Sequence, residues 1–142
     1  MKKGEFNKYL KERYNDQVDW YNRKSNLYKS MNYLIQIPII FIAAIIPIFA
    51  VLEEKWITVM LSAVMAIFIG ISNFCKFEEK WHNYRTTCET LKKELHYCKS
   101  KINEYHDTAE PEELFIQRVE SIISREHTRW LTIEKSKKKE TK

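Results

Sequence analysis

Residues 33–52 run for twenty positions without a charged side chain, and residues 56–74 run for nineteen, with only Glu53, Glu54 and Lys55 between them. No other feature restricts the fold as much. At about 1.5 Å of rise per residue, the two segments as helices span ~30 Å and ~28 Å, the thickness of a bilayer's hydrocarbon core. The first holds thirteen Leu, Ile, Phe and Val residues, enough to outweigh Gln36, Pro38 and Pro47. The second is less apolar, with nine such residues plus Met60 and Met65, and is expected to insert as the return limb of a hairpin. Both are apolar all round rather than along one stripe, which argues against core helices of a soluble protein. The expected fold class is all-α: a two-helix transmembrane hairpin whose helices extend into a cytoplasmic helical bundle, with the lipid bilayer as solvent.

The flanks set the topology. The fifteen residues before Tyr33 carry Arg23, Lys24 and Lys29, and the twenty after Phe74 carry Lys76, Lys80, Arg85, Lys92 and Lys93, against Lys55 alone in the connector. The excess of basic residues places both termini in the cytoplasm and the connector outside. Residues 1–32 hold no apolar stretch that would serve as a secretory signal. Cys75, Cys88 and Cys98 have no paired spacing and read as reduced thiols.

Residues 5–32 carry Phe6, Leu10, Tyr14, Val18, Tyr21, Tyr28 and Met31 at a mean step near 3.6, a one-faced helix expected to run into the first span. After the second span, Phe74, Phe77, Trp81, Tyr84, Cys88, Leu91, Leu95, Cys98, Ile102 and Tyr105 alternate steps of three and four. That is a heptad seam, and extended backwards it reaches Gly70, Ile67, Ala63 and Met60. The spacing predicts one helix over 56–106, its cytoplasmic part being 75–106, with a seam that joins helices within one chain or between subunits. Asp107, Thr108 and Pro111 break it. A third helix over 112–134 follows, turning back antiparallel, and then the Lys-rich tail 135–142, a candidate for docking on anionic lipid. There is no internal repeat and no second domain.

Catalytic signals are absent. No Gly-rich phosphate loop, HExxH or paired Cys spacing occurs, and His82, His96, His106 and His127 are scattered. No enzyme activity, metal or cofactor is expected. In the second span, Thr58, Ser62, Ile69 and Asn73 share a face with Lys76, roughly 140° from Ala63, Ile67 and Gly70. With Gln36 they are the pore-lining candidates; the alternative is that the Ser and Thr hydroxyls bond to their own helix backbone. Arg13, Arg23, Arg85, Glu89, Glu94, Glu120 and Glu126 lie beside the aromatic stripes and read as structural ion pairs, Arg85 with Glu89 among them, or else as a ligand site.

Three stretches carry a resemblance: YLKERYNDQVDWYNRKS (9–25), KFEEKWHNYRTTCETLKKE (76–94) and FIQRVESIISREHTRW (115–130), together with the IIP ending at Pro47. With Trp20, Tyr21, Trp81, Tyr84, Arg85, Glu120 and Trp130 as its most specific positions, the chain resembles the SLATT superfamily of bacterial two-transmembrane domains, in a branch of unknown function. The resemblance implies a homo-oligomeric effector of the bacterial inner membrane that forms pores. It also implies relatives that act beside nucleotide-producing or nucleotide-sensing domains in conflict with phage. No fused sensor domain is expected, so the signal or sensor partner is unknown and a stand-alone channel is an equal reading. The alternative function is a non-conducting anchor or scaffold whose cytoplasmic bundle binds a partner.

Overall fold

A computed structural model describes the backbone of residues 3–140 and the side chains of residues 4–126 and 128. Among the described residues five α-helices follow in order: α1 (Lys3–Tyr9), α2 (Asn15–Val51), α3 (Lys55–Cys75), α4 (Phe77–Ser100) and α5 (Pro111–Glu140). A π-helical turn, Leu10–Tyr14, joins α1 to α2, and no strand occurs among the described residues. The chain is all-α. It divides into two compact units, Met1–Tyr21 with Thr86–Lys142 and Asn22–Arg85.

The Asn22–Arg85 unit holds the hairpin. Two of its helices are long and apolar enough to cross a membrane. Helix α2 continues through Pro38 and Pro47 to Val51. Glu53, at φ 60°, reverses the chain. The facing residues are at least half-buried. On α2 they are Tyr28, Asn32, Ile35, Ile39, Ile42, Ile46 and Phe49, and on α3 Thr58, Leu61, Met65, Phe68 and Ser72. Both sets step by alternating threes and fours, so the limbs pack as knobs into holes. Away from the turn the Tyr28 ring stacks on Tyr84, with 5.5 Å between centroids. Both flanks therefore leave the hairpin at the same end.

The other unit is built from α1, the start of α2, the end of α4 and α5. Leu91, Cys88, Phe115 and Val119 are fully buried at its centre. Phe6 and Tyr14 pack their rings on Phe115 at 5.7 and 5.4 Å. The Tyr14 hydroxyl donates to the Leu91 carbonyl at 2.9 Å. Burial pushes the Tyr14 phenol up to about 12, so it remains a donor at all ordinary pH. The π turn has a mechanical reason. Its extra residue shifts the helix phase, so that Tyr9 and Arg13 reach α5 while Tyr14 still points into the core.

Several expectations need correction. The helix expected over 56–106 is two helices: Lys76 sits in the left-handed region at φ 48° and ends α3. The second stops at Ser100, not at residue 106. There Lys101 N–H donates to Cys98 and Ile102 N–H to Tyr97, the pair of bonds of a Schellman cap, with Lys101 at φ 50°. Ile102 thus leaves the seam and is exposed, while Tyr105 returns to the core on a short 3₁₀ turn. The third helix runs to Glu140, so its backbone passes through most of the stretch expected as a tail. The connector is also shorter, since α3 includes Lys55.

Candidate functional site

Side chains of two kinds were singled out: polar positions in the spans and charged positions beside the aromatic stripes. The structure divides the first set. Gln36 Nε2 donates to Ser72 Oγ at 3.4 Å, which places both polar groups between the limbs of the hairpin. A polar pair there is worth more than two groups left in hydrocarbon, and it fixes the register of the two apolar helices. Thr58 is half-buried beside the turn, and its hydroxyl donates to the Glu54 carbonyl at 3.0 Å. Ser62 likewise donates to Thr58 at 2.8 Å. The hydroxyls of Thr58 and Ser62 are thus satisfied by backbone carbonyls one turn earlier.

Ser62, Ile69 and Asn73 remain on the outside of α3. So do Ala63, Ile67, Gly70 and Phe74, the membrane part of the expected seam; a Cβ added at Gly70 would meet nothing within 4 Å. Within the chain, α3 therefore packs through Leu61, Met65, Phe68 and Ser72, and not through that seam. Further along, Phe77 and Trp81 are half-buried and Tyr84 is buried in the same unit as the hairpin. Leu91 and Cys98 are buried, and Leu95 half-buried, in the other unit. Residues 84–98 of the seam are thus occupied by the chain's own helices.

Two charged clusters tie the helices of the Leu91 unit. Arg13 makes a two-pronged contact with Glu120, Nε at 2.7 Å and Nη2 at 2.9 Å, and the Tyr9 hydroxyl donates to the same carboxylate at 3.0 Å. These bonds hold the Glu120 carboxyl below its usual range, Arg13 being the larger cause. In the second cluster the buried Glu94 accepts from Tyr105 Oη at 2.6 Å and from Arg118 Nη1 at 3.0 Å, and Arg118 also bonds Glu104. Burial, then the bond to Glu94, raises the Tyr105 phenol far above its ordinary value. Sequence reasoning named Glu94 and Glu120 but missed Arg118, Tyr9 and Tyr105 as partners. The signal for Arg118 was its Arg on the apolar side of 115–122, three residues past Phe115.

Arg85 and Glu89 each have interactions of their own, and Glu89 lies 3.7 Å from Lys92. Tyr21 is buried, with the half-exposed Trp20 edge-on to it at 5.0 Å. Trp130 lies outside the described side chains, as do those of the Lys-rich 135–142. Cys75, Cys88 and Cys98 are free thiols. No group of three metal-ligating side chains occurs among the described residues.

The Arg13–Glu120 contact carries a pH dependence. A carboxylate whose folded pKa is depressed stabilises the fold above its unfolded value, near 4.3, and loses that contribution as pH falls through the folded value. Glu120→Gln is expected to lower the thermal midpoint slightly at pH 7, because the pair is partly exposed. The gap from the unmodified chain should close as pH drops below about 4. A gap that is the same at pH 7 and pH 3 contradicts the assignment.

A family model described as "Protein of unknown function (DUF4231)" matches residues 16–113, well over half of the chain. Comparison with the curated proteins and with the solved structures finds no match.

Proposed function

This chain belongs to the DUF4231 family, and we propose that it is a homo-oligomeric channel or pore of the bacterial inner membrane, with both termini cytoplasmic. The observation that carries the proposal is the outward strip of α3, where Ser62 and Asn73 face away from the hairpin's own packing. Ser62 stands within the span and Asn73 one residue from its inner end, so the polar strip leads from within the span to its mouth, an arrangement favoured where water or another polar group meets it. At about 100° per residue the strip lies ~90° from the intra-hairpin interface, and Ala63, Ile67 and Gly70 lie ~100° further round. Several hairpins arranged in a ring would then pack on the small-residue face, where backbones approach closely, and turn Ser62, Ile69 and Asn73 towards a central path. No charged side chain lies within the spans, so selectivity would come from these polar groups and from the mouths, where Lys76 stands. The resemblance to SLATT effectors supports a role in bacterial conflict, with an unidentified nucleotide signal or sensor as the trigger.

A second reading has its own support. Since the Thr58 and Ser62 hydroxyls are satisfied by backbone, the spans work equally well as an anchor without a pore, presenting the charged helical unit to a partner. Current through planar bilayers separates the two. The channel reading expects discrete openings, with conductance changed at least about twofold by Ser62→Phe or Asn73→Asp and little changed by Val64→Phe, which points elsewhere on α3. Absence of current from purified, folded protein, or equal effects at all three positions, contradicts it.

A further inference from the structure

The Asn22–Arg85 unit carries, at the end of the hairpin away from the turn, an arrangement that neither helix packing nor conduction employs. The Lys29 ammonium lies 5.8 Å from the Trp81 ring centre and 5.9 Å from that of Tyr33. A second ammonium, Lys80, lies 5.5 Å from the Tyr28 ring, which is itself stacked on Tyr84. Ring faces hold a cation in position without neutralising it, because the attraction is to a quadrupole and not to a countercharge. Residues 22–33 and 76–85 together contain six Lys and Arg against two Glu. Of the two, Glu79 is engaged by Lys76 at 3.3 Å and Glu78 lies 4.0 Å from His82. The net charge here is positive, and two of its cations, Lys29 and Lys80, are held over ring faces.

The same face of α2 continues away from Lys29 as a strip of apolar surface. Tyr33, Ile37 and Ile40 follow it at helical spacing and are 49%, 50% and 66% exposed. A cation on an aromatic platform at the head of an exposed apolar strip has the polarity order of a phospholipid: charge at the interface, hydrocarbon below. Tyr and Trp prefer that depth, where one edge of the ring is wet and the other is not.

We propose that Lys29, with Tyr33 and Trp81, binds the phosphate of an anionic phospholipid whose acyl chain lies along Ile37 and Ile40. The site rests on the membrane reading of the hairpin but is independent of conduction. It also differs from any docking of the Lys-rich 135–142, since no residue of that stretch takes part. A free phosphate or nucleotide has no use for the apolar strip, which is the reason for choosing the lipid.

The test is native mass spectrometry of the full chain released from detergent micelles after titration with phosphatidylglycerol, phosphatidylcholine or inorganic phosphate. Phosphatidylglycerol should be retained in preference to phosphatidylcholine, and excess inorganic phosphate should not displace it. Lys29→Gln should weaken its retention about fivefold, the share of one Lys near anionic lipid. Lys29→Arg should keep it, which guards against a folding defect in the Gln variant. Lys138→Gln should leave it unchanged. Equal retention of the two lipids, full displacement by inorganic phosphate, or a loss with Lys138→Gln matching that with Lys29→Gln overturns the site. A chain that fails to partition into micelles at all would instead remove the membrane reading beneath it.

Discussion

Leu91→Asp is expected to unfold the unit formed by α1, the start of α2, the end of α4 and α5. Leu91 is fully buried among Cys88, Phe115 and Val119, which are fully buried too. The substitution removes a large apolar side chain and places a carboxylate where no described partner awaits it. Cavity and charge burial together cost at least ~4 kcal/mol, a large share of the roughly 5–15 kcal/mol that holds a domain together. The expected readout is loss of helical circular dichroism and rapid proteolysis of this unit, with the apolar spans still protected in micelles. Leu95→Asp is the internal comparison. Leu95 is only half-buried, so its Asp can turn towards water, and a clearly smaller loss is expected. An unchanged melting midpoint for Leu91→Asp contradicts the packing. Because this part of the heptad seam is filled from within the chain, the primary effect is on folding, and any loss of assembly follows from it.

Arg118→Met should be the most damaging change to a charged residue. It keeps the aliphatic stem but removes the cation that meets Glu94 at 3.0 Å. Glu94 is buried and would then share its carboxylate with the Tyr105 hydroxyl alone. Breaking a buried pair from one side costs about 3–5 kcal/mol. Arg118 itself is a third exposed, and water reaching the gap brings the expectation to ~2–3 kcal/mol. The diagnostic is the double change. Glu94→Gln added to Arg118→Met removes the orphaned charge while keeping an acceptor for Tyr105, so the pair should be more stable than Arg118→Met alone. Additive losses would mean that the two side chains act separately.

How much of this could be read from the amino-acid order depends on which physical signal each feature leaves. The hairpin was legible because two uncharged runs of bilayer length stand three residues apart. The buried side of α4 was legible because Tyr84, Cys88, Leu91, Leu95 and Cys98 keep a strict three-four rhythm. Inside the spans that rhythm is silent. Both helices are apolar all round, so any face satisfies a heptad, and the expected Ala63–Gly70 seam lies on a different face of α3 from the one that packs within the chain. Gln36 and Ser72 were the better pointers, since two isolated polar groups at matching depth seek each other. The end of α3 left no mark. Its left-handed residue is Lys76, where a Gly would have announced a break, and the same holds for Lys101 at the end of α4. The partner of Glu94 is set by the antiparallel return of α5, a tertiary fact with no local signature.

The central claim is that the two apolar helices form a membrane hairpin whose turn lies outside and whose flanks lie inside. Cysteine labelling with a membrane-impermeant maleimide in intact cells tests it most directly. Cys75 then lies on the inner side, and Cys88 and Cys98 are buried, so the unmodified chain should stay unlabelled until the cells are permeabilised. Glu54→Cys, exposed at the turn, should label from outside in intact cells, and the exposed position Lys99→Cys only after permeabilisation. Labelling of Lys99→Cys from outside, or of Glu54→Cys and Lys99→Cys under the same condition, contradicts the hairpin as placed.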